Sequence, residues 1–276
     1  TGRMELHGDA EQRLRQLLAQ EPPVLARGAV EEYVRAAFEK GARLLERVRG
    51  RALPLWALEP AVLAQRPRRF RAAFEAVLPD TGVFYAMKSN NHPEVSAALA
   101  RAGIGLDVSS GVELRVALDT DAREIVFSGP GKTDVELAQA AAHAGRVVVL
   151  MDSFAELERL DAAARRAGVT VRAGVRITPP PPNRWRKFGV PLSRLGAFFD
   201  KARACEAVDL RGIQFHSSWN LGPDAQVAVI RALGETIAAW PAERLERIEF
   251  LDIGGGFWPE PGEWVLPSAT ERGRLL

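Results

Sequence analysis

The sequence predicts an α/β fold, a (β/α)8 TIM-type barrel that stops before its eighth strand. Three observations predict it. From Arg51 onward, short β-type runs alternate with Ala-, Leu- and Arg-rich stretches, the rhythm of βαβ units around a parallel sheet. The glycine triplet Gly254-Gly255-Gly256 follows the last of these runs, not the first. An open doubly wound sheet wants its glycine-rich phosphate loop after strand one, whereas barrels often hold phosphate in the loops after strands seven and eight. Each barrel run also carries a polar residue at or near its end, and active sites of barrels gather at the carboxyl ends of the strands.

The elements follow in order. Residues 1–50 form a charged helical extension, in which Val34, Phe38, Leu44, Leu45 and Val48 recur at roughly helical spacing and Gly50 is a stop. Residues 51–276 form the barrel domain. The run "PLWALE" precedes the first β-then-α repeat and is left out of the count. The barrel strands are then "VFYAMK", "IGLDV", "EIVFSG", "RVVVLM", "VRAGVRI", "GIQFHS" and, seventh, "IEFLDIGGG". Helical stretches include 93–102, 133–143, 153–167 and 223–239. Pro179–Pro182 follow a strand they cannot continue and read as a stiff loop.

Composition sets bounds. With 276 residues and 47% hydrophobic content, the chain can bury one large core or two small ones. A net charge of +2 gives no field that argues for nucleic acid. A single cysteine, Cys205, rules out an intrachain disulfide framework, fits a reducing compartment, and reads as a small residue on an Ala-rich helix. No apolar run is long enough for a membrane span and no signal-peptide layout opens the chain. The expectation is a cytoplasmic protein without membrane or nucleic-acid partners.

The strand ends, read in order, are Lys88, Asp107, Ser128, Asp152, Arg176, His216 and Asp252. Any one alone would be an ordinary solvated strand end, and a lone histidine there an ordinary hydrogen-bonded core residue. All of them around one face point to a site. Of 37 basic residues only five are lysines, so Lys88 stands out at the end of "FYAMK". Lysine forms a Schiff base with a carbonyl; arginine cannot. Among Phe84, Tyr85 and Met87 the amine is expected to be desolvated, which favours its neutral form. The N–H groups of Gly254, Gly255 and Gly256 can approach an anion closely, since no Cβ intervenes. A Schiff-base lysine opposite a phosphate cradle points to pyridoxal phosphate.

Six stretches carry a family resemblance: "FYAMKSNNHPEV", "GLDVSSGVEL", "FSGPGKTDVEL", "RKFGV", "GIQFHSSW" and "LDIGGGF", in that order. Together, over about Leu53 to Phe257, they resemble the barrel domain of fold-type III pyridoxal-phosphate decarboxylases, the diaminopimelate, ornithine and arginine group. The resemblance implies an alanine racemase-like barrel and an internal Schiff base on Lys88. Asp107 is then an acid beside that lysine, Arg176 a cofactor-side arginine, and His216 a ring stacked on the pyridine. Gly254, Gly255 and Gly256 become the phosphate loop, and Lys187 lies in the family's "KFG" stretch with a structural or catalytic part. The sequence departs from the family after His216. Ser217-Ser218-Trp219 puts a tryptophan where a phosphate-contacting serine is usual, so either Ser218, or Ser217, takes over that contact or the pocket is reshaped for a different substrate. Glu260-Pro261-Gly262 follows the glycines too closely to be the family's pyridine-nitrogen strand. The expectation is therefore an amino-acid decarboxylase barrel cut short, lacking its eighth strand and its C-terminal β domain, inactive alone and homodimeric at full length. A racemase or epimerase of the same fold, or a non-catalytic cofactor-binding or regulatory relative, stays open.

Overall fold

The structure, a computed structural model, describes residues 58–179, 187–216 and 224–257, with scattered positions between Gln12 and Arg51. The chain divides into two units, Leu58–Phe257 and a second made of Thr1–Ala57 with Trp258–Leu276. The first carries the sheet. Helix α1 (Pro60–Glu75) precedes β1 (Phe84–Ala86), and the repeat then runs α2 (Pro93–Arg101), β2 (Gly105–Val108), α3 (Gly111–Leu118), β3 (Ile125–Phe127) and α4 (Asp134–Ala142). It continues with β4 (Val147–Met151), α5 (Phe154–Ala167), β5 (Val171–Thr178), a two-residue β6 (Val190–Pro191) and α6 (Leu195–Ala202). The last elements are β7 (Val208–Gln214), α7 (Asp224–Ile237), α8 (Ala242–Leu245) and β8 (Phe250–Asp252).

The main sheet has the order β1-β2-β3-β4-β5-β7-β8, parallel throughout, and β6 pairs only with β5. Strands in sequence order joined by helices are the arc of a (β/α)8 barrel, as the alternation predicts. The expected seventh strand is seventh along this arc; β6 makes it eighth in chain order. The first four residues of "PLWALE" lie outside the described residues, as do Pro180–Pro182.

Local chemistry starts three successive helices in one way. Ser110, Thr133 and Ser153 each accept a hydrogen bond from the backbone N–H three residues on, and that residue is Glu113, Glu136 or Glu156. Such caps satisfy N–H groups that the first helical turn leaves orphaned. Each glutamate then reaches outside its own helix. Glu113 accepts the Ser109 N–H at 2.7 Å, Glu136 accepts the Gly111 N–H at 2.6 Å, and Glu156 accepts the Lys132 ammonium at 2.7 Å. Two of these bonds, from Glu136 and Glu156, stitch one βα unit to the unit before it.

The outward face of the sheet is apolar and covered by helices. Leu106, Ile125, Phe127, Val149, Met151, Val175, Ile213 and Phe215 are buried there in one core with Leu114, Leu137, Leu157, Phe198 and Leu233. Each such side chain contributes roughly 1.5–3 kcal/mol on burial. Cys205 joins this core from the turn after α6, not from a helix as its surroundings suggested. The concave face is built differently. A Cβ on Gly105 would come within 2.4 Å of the Phe84 ring, and one on Gly212 within 2.1 Å of the Phe250 ring. The two end strands of the arc thus lay their rings over glycines of their neighbours. At the amino ends of the strands Arg172 bonds Glu124 at 2.9 Å and lies 3.3 Å from Glu249, which Arg211 also meets at 3.2 Å. The polar residues of interest sit at the opposite end.

Candidate active site

Lys88 does not end a strand. β1 stops at Ala86, and Met87–Ser89 form a 3-10 turn in which Met87 is buried and Lys88 exposed. The turn is pinned locally. The Ser89 hydroxyl shares its one proton between Ala86 O at 2.7 Å and the Tyr85 hydroxyl oxygen at 3.1 Å, and Tyr85 donates to Asn90 O at 3.1 Å. The expected desolvation of the amine is therefore not found. The aromatic residues before Lys88 pack along the strand, and the turn carries the amine out to the rim.

Asp107, one strand over, pairs in register with Ala86. Among the described residues its Oδ1 is buried without a hydrogen-bond partner. Burial pushes the carboxyl up to about 7; the Ser128 hydroxyl opposes this, Asp252 adds to it, and the Lys88 charge opposes it again. Near neutrality this group can hold or release a proton within electrostatic reach of the lysine amine.

Further round the arc, Arg176, Gln214 and Asp252 lie side by side on β5, β7 and β8. Arg176 Nη1 is 3.9 Å from Asp152 Oδ1 on the β4 side, and its guanidinium sits over the Phe188 ring at 5.2 Å. That ring belongs to the "KFG" stretch begun by Lys187. Thr178 ties the stretch down through bonds to Phe188 O at 2.7 Å and Gly189 O at 3.0 Å, and a Cβ on Gly189 would come within 2.8 Å of the β5 backbone. The stretch thus packs its ring against Arg176. Behind Asp152 lies a buried pair. Lys132 Nζ donates to Glu156 at 2.7 Å, to Gly129 O at 2.7 Å and to Leu150 O at 2.6 Å, which uses all three of its protons. Burial lowers the Lys132 ammonium from its ordinary range, and Glu156 counters that.

His216 and the glycine loop form one unit. The Phe215 N–H donates to Asp252 O at 2.9 Å, and the Gly254 N–H donates to Asp252 Oδ1 at 2.7 Å. The Gly255 N–H then reaches His216 Nδ1 at 3.3 Å. Gly254 has φ +71°, and a Cβ there would lie 2.7 Å from Phe215 O and 2.8 Å from His216 Nδ1. Only glycine lets the loop pass this close to the ring. Around a Cβ on Gly255, by contrast, no described residue lies within 4 Å. Burial, with Lys88 and then Arg176, pushes the imidazole down to about 4. His216 is thus neutral at pH 7, and because Nδ1 accepts, Nε2 carries the proton.

The residues fit the cofactor that the sequence suggested. They offer an accessible amine, a neutral flat ring, a glycine loop whose Gly255 side is open among the described residues, and buried oxygens on Asp107, Asp152 and Gln214 that take no hydrogen bond from the described residues. The structure brings Lys88, Asp107, Arg176, His216 and Gly254 to Gly256 to one end of the sheet. It also shows that the N–H groups of Gly254 and Gly255 already have partners within the protein. Ser217, Ser218 and Trp219 lie outside the described residues, as do Glu260 to Glu263. Sequence reasoning passed over Gln214 and the Lys132–Glu156 pair. The one signal for Gln214 was its place two residues before His216, on the same face of an alternating strand.

Comparison with known proteins agrees. Residues 63–263 match the family model "Pyridoxal-dependent decarboxylase, pyridoxal binding domain". The diaminopimelate decarboxylase of Aquifex aeolicus is 26% identical over 234 residues, covering 79% of this chain and 54% of that protein. The diaminopimelate decarboxylase of Actinosynnema pretiosum is 32% identical over 240 residues, covering 80% and 52%. A Staphylococcus aureus 2-[(L-alanin-3-ylcarbamoyl)methyl]-2-hydroxybutanedioate decarboxylase is 29% identical over 185 residues, covering 63% and 46%. The chain thus spans about half the length of these relatives. Among solved structures, the M. jannaschii diaminopimelate decarboxylase in complex with L-lysine superposes with a TM-score of 0.65 at 23% identity, over 82% of this chain and 56% of that one. The Paramecium bursaria Chlorella virus arginine decarboxylase bound to agmatine gives 0.65 at 18%, over 84% and 62%. At such identities these two superpositions speak for the fold, and the family match speaks for the chemistry of the domain. From the arc of strands, the site at its carboxyl ends and the match over residues 63–263, the chain belongs to the pyridoxal-dependent decarboxylases, through their pyridoxal-binding domain.

Proposed function

We propose that this chain is the cofactor-binding part of an amino-acid decarboxylase acting on a diaminopimelate- or ornithine-like substrate. The observation that carries the reading is the meeting, at one end of the sheet, of the Lys88 amine, the Asp107 carboxyl and the His216 ring. Lys88 would hold the cofactor through its side-chain amine, which its exposure leaves open to a carbonyl. When bound, pyridoxal phosphate supplies an electron sink for the pair left behind as a carboxylate departs. His216 offers an uncharged ring face for stacking, and the loop at Gly254 holds that ring still. Asp107 stores a proton near the lysine amine, and Arg176 keeps a positive charge between Asp152 and Asp252. Ser217 or Ser218, with the glycine loop, would hold the phosphate.

The rest of the reading concerns the longer protein that the relatives' length suggests. We place residues 51–276 in the barrel domain, after a helical extension of residues 1–50. The pyridine-nitrogen partner and a C-terminal β domain would follow, in a cytoplasmic homodimer. The test is product analysis on that longer protein with pyridoxal phosphate and diaminopimelate, ornithine, lysine or arginine. Release of carbon dioxide that disappears in Lys88→Ala supports the reading. Inverted substrate without carbon dioxide, or no product from any of the four, contradicts it.

A further inference from the structure

Asp152 is buried beside Arg176 in a way unusual for a carboxylate. Val149 and Met151 face the helix-covered core, while a Cβ on Gly174 would meet the Leu150 side chain and the Phe250 ring on the concave side. Strand alternation therefore puts Asp152, two residues after Leu150, and Arg176, two after Gly174, on the concave face. Met151 pairs in register with Val175, so the two charged residues stand next to each other at the carboxyl end. The Asp152 side chain is 11% exposed, yet neither of its oxygens takes a hydrogen bond from the described residues. Gly189 brings its N–H near the carboxylate without completing a bond. Arg176 Nη1 stays 3.9 Å away.

An ion pair kept for stability closes into short hydrogen bonds, commonly two between a guanidinium and a carboxylate. This one stays open. Burying a carboxylate with unmet oxygens destabilises the fold, so the arrangement calls for another explanation. Arg176 supplies it. Its charge is matched by Asp152 and its flat face by the Phe188 ring at 5.2 Å, while its N–H groups make no hydrogen bond to the described residues. The guanidinium is thus oriented with its donors unused. Asp152 is itself fixed from behind. Glu156 accepts the Asp152 N–H at 3.3 Å and the Lys132 ammonium at 2.7 Å, and Lys132 donates to Leu150 O at 2.6 Å. We propose that Asp152 is a positioning residue: from this buried support its carboxylate holds Arg176 against Phe188, so that the guanidinium N–H groups stay free for an anionic oxygen of the cofactor. This rests on the proposed cofactor role of the site.

The test sets position against charge. By charge alone, removing a carboxylate from beside an anion site strengthens anion binding. A carboxylate that positions the arginine has the opposite effect. The dissociation constant of the purified chain for pyridoxal phosphate, read from absorbance and fluorescence titration, should rise about five- to tenfold in Asp152→Asn. In an Arg176→Met background the same substitution should not weaken binding, since no guanidinium is left to position. A second reading needs no cofactor, and it decides if Arg176→Met binds too weakly to titrate. Phenylglyoxal should modify Arg176, located by peptide mass spectrometry, severalfold faster in Asp152→Asn than in the parent, at a melting temperature no lower than the parent's. Tighter or unchanged binding in Asp152→Asn, or equal weakening with and without Arg176, would overturn the proposal while leaving the cofactor reading intact. So would a modification rate that stays the same or rises only as the melting temperature falls. A parent chain that binds no pyridoxal phosphate would overturn both.

Discussion

Replacing Asp107 by asparagine should make the protein more stable at neutral pH and change its stability little in acid. The carboxyl is raised from its ordinary 3.8 to about 7, mainly by burial. At 1.36 kcal/mol per pH unit the difference amounts to roughly 4 kcal/mol, and solvent reaching the rim lowers the expected value to about 2–4 kcal/mol. The sign follows from the direction of the shift. A carboxyl raised on folding contributes stability that is fully present below its unfolded value and is lost as pH rises through about 7. Asparagine has no such loss. His216 runs the other way. Its imidazole is lowered to about 4, so its contribution is present above the ordinary 6.5 and is lost as pH falls through about 4. The wild-type curve alone therefore mixes two opposing slopes in one window. The histidine's shift is set by burial, Lys88 and Arg176, so it largely cancels between wild type and Asp107→Asn. Urea unfolding of both proteins from pH 3.5 to 8.5 gives that difference directly. It should grow by about 2–4 kcal/mol in favour of asparagine between pH 4 and 8. A flat difference would mean that Asp107 is solvated in the folded protein and stores no proton beside Lys88.

Two further results are expected. Gly254→Ala places a Cβ at φ +71° against Phe215 O and His216 Nδ1, and should cost at least about 1–2 kcal/mol from the left-handed backbone alone, whereas Gly255→Ala, whose Cβ meets none of the described residues, should leave unfolding unchanged yet weaken pyridoxal phosphate more than pyridoxal; equal destabilisation by the two would contradict the loop geometry. Lys132→Met leaves the buried Glu156 carboxylate uncompensated and should destabilise by about 3–5 kcal/mol in urea, with a good part recovered in the double variant Lys132→Met/Glu156→Gln; no recovery would show that packing, not charge pairing, holds Lys132.

Much of this architecture was legible because it rests on periodicity and on position along the chain. The alternation of runs and the late glycine triplet identified the barrel, and the polar strand ends named most of the residues that the fold brings together. The predicted helices at 93–102, 133–143, 153–167 and 223–239 lie within two residues of α2, α4, α5 and α7 at every boundary. What stayed hidden depends on contacts between units. The exposure of Lys88 follows from a 3-10 turn whose Tyr85–Ser89–Asn90 bonds leave no periodic trace. Helix α1 carries Pro67 inside it and buries no residue completely, so it shows no clear apolar stripe. Lys132 and Glu156 are 24 positions apart and meet only because β3 and β4 are neighbours. The glycine triplet was readable as a loop, but that Asp252 and His216 already take two of its N–H groups is a fact of three-dimensional packing.

The central claim is that Lys88 is the residue that carries the cofactor. It is tested most directly by adding pyridoxal phosphate to the purified chain, reducing with borohydride, and locating the fixed pyridoxyl group by peptide mass spectrometry. The account predicts one stoichiometric label, on the peptide containing Lys88, absent in Lys88→Ala and equally absent in Lys88→Arg, since an attachable amine is required and not a charge. Stoichiometric label on Lys132, Lys187 or Lys201, or label that persists in Lys88→Ala, would contradict it.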